Sequence, residues 1–245
     1  MNESAQPDVS VVIPTLQEGK YLQRCLQSLQ EQSYTCFEVI IVDGGSTDET
    51  LDIARAYGAR IVPAPGSTLV TARQIGVEVA QGEIIVGADA DTTYPAEHLA
   101  RIVSAFQRHR EIVAVGGIAI FEPDPWWCHL IWRISYTITS LIYRLTGHVV
   151  YLAASNMSFR KAAFEQTGGY TMYLEAAGDE LDILAKLKKA GRIFFDPQLV
   201  VYPSSRRARA GFLAYYLHYG VIGYVLAYAL SRHFKRIVIK YQPVR

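Results

Sequence analysis

The sequence is poor in cysteine, has no excess of charge of either sign, and contains no internal repeat or low-complexity linker. Its three cysteines, Cys25, Cys36 and Cys128, are scattered and form no CxxC pair. That spacing excludes a zinc-type ligand set and a disulfide framework, and fits small buried hydrophobes in a reducing compartment. With 24 Lys and Arg against 23 Asp and Glu, the formal charge is +1. No global field draws a polyanion, so nucleic acid is not expected as a partner. Residues 1–8, MNESAQPD, carry no apolar run behind a basic start. A secretory signal is therefore not expected, and the amino-terminal half is expected in the cytoplasm.

What is present is an alternation. A length of 245 residues suits one α/β domain with attachments rather than two full domains. Short β-branched runs at 9–13, 37–42, 60–62 and 84–88 alternate with helical patterns. One helix carries Leu22, Leu26 and Leu29 on one face, one includes Leu51, Ile53 and Ala54, and one covers 68–80. This predicts a Rossmann-like, doubly wound, mostly parallel sheet with helices on both faces. A further helix is expected from Pro95 to about His109 and a strand over 112–121, interrupted by Gly116-Gly117. The expected organisation is a polar tail at 1–8, a catalytic domain at 9–205, and a basic and apolar C-terminal helix at 206–245. Within the domain, 9–121 form the ligand-binding half and 122–205 a second half. That second half holds an apolar helix at 126–145, a strand near 156–159, a helix over 179–190 and a strand at 192–195.

The residues that can carry chemistry gather at predicted strand ends, where open α/β sheets bind ligands. Asp89 and Asp91 follow the run Glu83-Ile84-Ile85-Val86. In extended backbone, carboxylates two residues apart face one side and can share a divalent cation as hard oxygen ligands. Taken alone, Asp-x-Asp also fits a solvated turn ahead of Pro95. Asp43 closes the second strand, where it can accept from a nucleobase N–H, and Gly44-Gly45 allow close backbone approach. The alternative is an ordinary turn aspartate. Thr15 and Glu18 either touch a nucleoside or begin a helix, and Arg73 either forks onto phosphate or is a surface charge.

Together these residues resemble the GT-A-type family 2 glycosyltransferases. Val11-Val12-Ile13-Pro14-Thr15-Leu16-Gln17-Glu18 is similar to the family's opening strand, and Ile40-Ile41-Val42-Asp43-Gly44-Gly45-Ser46-Thr47-Asp48 to its second motif. Thr71-Ala72-Arg73-Gln74, followed by Asp89-Ala90-Asp91, is similar to its third. The resemblance implies a nucleoside-diphosphate-sugar donor, UDP- or GDP-linked, held by Pro14, Thr15, Glu18, Asp43, Ser46, Asp48, Arg73, Asp89, Ala90 and Asp91. It also implies Mg²⁺ or Mn²⁺ on Asp89 and Asp91. Asn156 to Arg160 and Gly168-Gly169-Tyr170 resemble the segment lining the acceptor side, and Gly178-Asp179-Glu180-Leu181-Asp182 the family's acidic catalytic motif. The family places Glu before Asp in that motif, whereas here Asp179 precedes Glu180. Counting back from Lys186, Glu180 falls at the base position, with Asp179 a small backbone shift away and Asp182 a turn on. The implied reaction is inverting hexosyl transfer to an acceptor hydroxyl or lipid phosphate, in the setting of cell-surface polysaccharide or glycolipid synthesis.

Two other activities bear comparison. A sugar nucleotidyltransferase would advertise a glycine-rich phosphate loop near the first strand, and residues 14–19 show none. A non-catalytic sugar-nucleotide-binding protein has only the reordered Asp179-Glu180 pair in its favour. Residues 212–230 form a charge-free run, flanked by Arg206, Arg207 and Arg209 and by Arg232, Lys235, Arg236 and Lys240. Five tyrosines and His218 make it less apolar than a good membrane span. An interfacial helix on a membrane surface and a helix packed on the domain or on a homodimer partner both stand open. If it forms one platform with 126–143, a lipid-linked acceptor at the inner face of the cytoplasmic membrane follows.

Overall fold

The computed structural model describes residues 6–122, 126–174, 178–206, 228–230 and 232–235. The expected C-terminal helix lies mostly outside them, although 228–230 and 232–234 are helical. Eight strands form the sheet: β1 (Val9–Thr15), β2 (Phe37–Asp43), β3 (Arg60–Pro63), β4 (Ile84–Gly87), β5 (Thr92–Thr93), β6 (Ile112–Ala119), β7 (Met157–Arg160) and β8 (Arg192–Pro203). Their order is β3-β2-β1-β4-β7-β6-β8-β5. The helices are α1 (Gly19–Gln30), α2 (Thr50–Ala56), α3 (Leu69–Val79), α4 (His98–Arg108), α5 (Trp126–Thr146), α6 (Lys161–Gln166) and α7 (Asp179–Ala190).

The predicted doubly wound pattern holds in the first half, where β3, β2, β1 and β4 are parallel neighbours. Every residue of β1 is buried, as a central parallel strand covered on both faces requires. α3 lies across β1 and β2. It approaches closely because Gly76 has no side chain; a Cβ there would come 2.2 Å from Val12 Cγ1. β1 pairs with β4 only as far as Val12 and Gly87 but follows β2 to Thr15 and Asp43. The strands therefore part at their carboxyl ends, and a crevice opens there.

The second half is mixed rather than parallel. β7 runs antiparallel to both β4 and β6, and β8 is parallel to β6. Nothing in the hydrophobic periodicity carries strand direction. β8 also outruns the predicted 192–195: after Gly116↔Phe195 the register resumes at Ile118↔Val200, so 196–199 loop out and the strand continues. The two-residue strand β5, which follows the Asp-Ala-Asp triplet and pairs with the end of β8, is too short to have a periodic signal.

His98 opens α4 almost fully buried. Its ring lies 5.1 Å from that of Tyr94, and neither ring nitrogen has a hydrogen-bond partner. Burial pushes its pKa down from 6.5 to about 3. Between those values the unfolded chain binds the proton and the folded chain does not. His98 therefore costs no stability above about pH 6.5 and lowers it progressively as the pH falls toward 3. Urea unfolding near pH 7.5 and near pH 5 should show the wild type losing about 2 kcal/mol more than His98→Leu over that step. Equal losses would mean that the ring is hydrated.

Candidate active site

The crevice is framed by two loops bound to each other. Gln17 adopts a left-handed φ of 59°, a conformation uncommon outside glycine. Its neighbours hold it there: its amide donates to Ser46 Oγ at 2.9 Å, and its Oε1 accepts from the Thr47 and Asp48 amides at 3.0 and 3.2 Å. Asp48 accepts from Gly19 N at 3.0 Å, while Thr50 Oγ1 accepts from Glu18 N at 2.9 Å. Burial pushes the Asp48 carboxyl up, but hydrogen bonds from Thr50 and Gly19 bring it below its ordinary value. Asp48 and Ser46 thus join the loops after β1 and β2. Gln17 and Thr50, which the sequence reading passed over, do as much of this joining.

Asp43 ends β2 nearly inaccessible. Its Oδ1 accepts from Thr15 Oγ1 at 3.2 Å and Ser46 Oγ at 2.5 Å, and its Oδ2 from the Gly45 and Ser46 amides at 3.0 and 2.9 Å. Four donors fill a carboxylate's capacity. A base contact at Asp43 therefore requires one hydroxyl to turn away. Pro14 lies one residue earlier, in register with Val42.

The Asp89-Ala90-Asp91 triplet is a turn, not the extended end of a strand: Thr92 N donates to Asp89 O at 3.1 Å, and Ala90 is buried. Each of its carboxylates meets an arginine. Asp89 meets Arg73 Nη2 at 3.1 Å, and Arg73 Nη1 meets Asp179 at 2.5 Å. Arg73 is buried, so it is no surface charge. Burial lowers the basicity of its guanidinium, but Asp179 and then Asp89 raise its pKa well above the usual value. Asp91 Oδ2 lies 2.9 Å from Arg206 Nε, an ion pair without hydrogen-bond alignment, and Arg206 also forks onto Glu18 with two bonds of 2.9 Å. The Arg206 guanidinium lies over the Tyr21 ring, 4.8 Å from its centroid. The sequence reading placed Arg206 in a charge cluster before the tail. Ser204 N bonding Asp91 O at 2.9 Å brings that segment over the triplet.

Gly178, at φ 92°, turns the chain into α7, whose first turn carries all three acidic candidates. Asp179 is taken by Arg73. Asp182 accepts from Thr171 Oγ1 at 2.6 Å and pairs with Lys186 at 3.1 Å. Glu180 is half-buried and acts on α5: burial first, then the charge of Glu180, pushes the Tyr136 hydroxyl up to about 12. Asn156 ends a short 3-10 turn just before β7 and is buried. Its amide donates to Ile118 O and Leu199 O at 2.9 and 2.8 Å, tying β6 to β8.

A cation suits the triplet by donor chemistry, since Asp89 and Asp91 supply hard oxygens at the mouth of the crevice. Among the described residues no group of three or more His, Cys, Asp or Glu is gathered to hold a metal.

A parallel half-sheet with carboxylates at its strand ends, joined to a mixed half that presents an acidic helix, is the architecture of a GT-A-type glycosyltransferase. TarS of S. aureus in complex with UDP superposes with a TM-score of 0.67 over 93% of this chain and 72% of that one, at 20% identity. The mannosyltransferase PcManGT of Pyrobaculum calidifontis, in complex with GDP-Man and Mn²⁺, gives 0.63 over 93% and 76%, also at 20% identity. The family model of glycosyl transferase family 2 matches residues 10–168, and the chain belongs to that family. A PGL/p-HBAD biosynthesis glycosyltransferase of Mycobacterium bovis is 29% identical over 71% of this chain and 68% of its own length.

Removing Arg73 would leave the buried Asp179 carboxylate, and the partly exposed Asp89, without their cation. Arg73→Leu should lower stability by about 3 kcal/mol in urea titration, and Arg73→Leu combined with Asp179→Leu should recover most of that loss. Additive losses would contradict this reading of the pair.

Proposed function

We propose that the protein is an inverting glycosyltransferase that takes a hexosyl group from a UDP- or GDP-linked donor. The observation that carries this reading is Arg73, bonded at once to the first aspartate of the Asp-Ala-Asp turn and to the acidic first turn of α7. One guanidinium thereby couples the donor side of the crevice to the side where an acceptor must be deprotonated.

Asp43, with Thr15, Ser46 and Pro14 around it, receives the base and ribose. The loop joined by Gln17, Asp48 and Thr50 keeps that end rigid. Asp89 and Asp91 are the carboxylates that would hold a divalent cation, which would neutralise charge on the departing diphosphate. Asp91 is also the carboxylate paired with Arg206. The donor diphosphate offers Arg206 a replacement partner suited to its planar fork. The acceptor hydroxyl oxygen attacks the anomeric carbon from the face opposite the diphosphate. As the new C–O bond forms, the old one breaks, its electron pair leaves with the diphosphate, and the hydroxyl proton passes to a carboxylate. That carboxylate is Glu180. This assignment follows the base position that the family resemblance implies; Asp179 is paired with Arg73 and Asp182 with Lys186.

The acceptor is a hydroxyl or phosphate of a lipid-linked molecule, and the enzyme works peripherally at the inner face of the cytoplasmic membrane, in glycolipid or surface-polysaccharide synthesis. No helix among the described residues is long and apolar enough to cross a membrane. A peripheral placement must therefore rest on surface contacts.

Asp91→Ala is expected to abolish cation-dependent donor binding, measured by calorimetry, and transfer with it. Glu180→Gln should bind donor normally and lose about 10²-fold or more in turnover. Full activity in either variant would remove the corresponding assignment. A loss confined to Asp179→Asn would move the base by one residue.

A further inference from the structure

α5 has two unlike long sides. Its inner side is fixed to the sheet: the Trp132 ring stacks on Phe121 at 4.9 Å between centroids, Tyr143 meets Phe195 edge-on at 5.8 Å, and Tyr136 is buried. Its outer side carries Leu130, Ile134, Ile138, Leu141 and Leu145, each 50–76% exposed. Steps of four, four, three and four residues put these five on one stripe, roughly 22 Å long. Beside it, at 133, 137, 140 and 144, runs a second row made of Arg133, Thr137, Ser140 and Arg144, with both arginines exposed. The helix contains no Asp or Glu. An aliphatic stripe this long is unusual on a surface facing only water.

Charge selects what covers it. If a second copy of the chain paired α5 with α5, an antiparallel arrangement centred on Ile138 would bring Arg133 and Arg144 of opposite copies level. A parallel one would set like residues side by side. In neither does the helix supply a carboxylate to offset them. An anionic lipid surface meets both features at once, taking the stripe among its acyl chains and the arginines at its phosphates. The rest of the chain agrees: residues 206–245 hold eight of the 24 Lys and Arg and no Asp or Glu. Positive charge is therefore concentrated in that segment and in α5, and the remainder of the chain has an excess of acid.

We infer that the outer face of α5 is a docking surface for an anionic membrane, with Leu130, Ile134, Ile138, Leu141 and Leu145 in the interface and Arg133 and Arg144 at the headgroup phosphates. The inference deepens the peripheral placement proposed above and rests on it. It also gives that placement a geometry. Tyr136, on the opposite side of the same helix, is buried against the catalytic domain, so the stripe faces away from the core.

Flotation of the full chain with vesicles tests this. The wild type should float with phosphatidylcholine vesicles containing phosphatidylglycerol and bind phosphatidylcholine alone about 10-fold more weakly. The triple variant Ile134→Ser, Ile138→Ser, Leu141→Ser should lose about 10-fold or more in binding while keeping its thermal midpoint, because these side chains are exposed. The pair Arg133→Gln, Arg144→Gln should lose the preference for phosphatidylglycerol, and this decides the matter should the triple variant fail to fold. Wild-type protein that stays unbound, a folded triple variant that floats as well as the wild type, or a dimer that the triple variant converts to monomer would each overturn the inference. Hydrolysis of sugar nucleotide without vesicles separates it from the catalytic reading. A triple variant that no longer floats but hydrolyses donor normally supports docking, whereas vesicle binding by a wild type that hydrolyses no donor counts against the catalytic reading alone.

Discussion

The buried guanidinium of Arg73 is the constraint on which the rest of the site depends. It reaches one carboxylate 16 residues away and another 106 residues away, so it can be satisfied only when both halves of the sheet are assembled. Burying a cation is costly unless it is paired with good geometry. Two carboxylates within ion-pair distance meet that condition and raise its basicity. The same pairing sets the separate duties of the acidic residues. Asp179 is paired with Arg73 and Asp182 with Lys186, and Asp91 is paired with Arg206. The strand ends would collect carboxylates without this arginine, but nothing would relate them to α7.

Much of the parallel half was legible because its signals are local. β-branched runs ending at Asp43 and Gly87, the Leu22-Leu26-Leu29 face and the Thr68 cap each depend on a few neighbouring residues. The boundaries of α3 and α7 follow the predicted ones within about a residue for the same reason. The mixed half was less legible. β7 owes its direction to partners on both sides, and β8 crosses Asp196-Pro197 only because 196–199 loop out of register. Both are decided by long-range pairing.

The site divides along the same line. Residue types were readable and their pairings were not. Asp43 was expected to await a base, and its four donors show it shaping the loop first. The Asp89-Ala90-Asp91 backbone was expected to be extended and is instead a turn. The roles of Gln17 and Arg206 were not readable because neither carries a spacing signal: one acts through a left-handed backbone, the other through a segment that returns over the triplet from the far end of β8. The apolar character of 126–145 was plain, but only packing shows that Trp132, Tyr136 and Tyr143 face the domain while Leu130, Ile134, Ile138, Leu141 and Leu145 face outward.

The account's central claim is that these strand ends activate a nucleoside-diphosphate sugar for displacement by a hydroxyl. The most direct measurement is proton NMR of the wild-type protein with a panel of UDP- and GDP-sugars, with and without Mg²⁺ or Mn²⁺, following the anomeric signal of the released or transferred sugar. The account predicts that at least one donor is consumed only when cation is present, and that its product appears first with the opposite anomeric configuration. Consumption of no donor in the panel, or a product that first appears with the donor's own configuration, would contradict it.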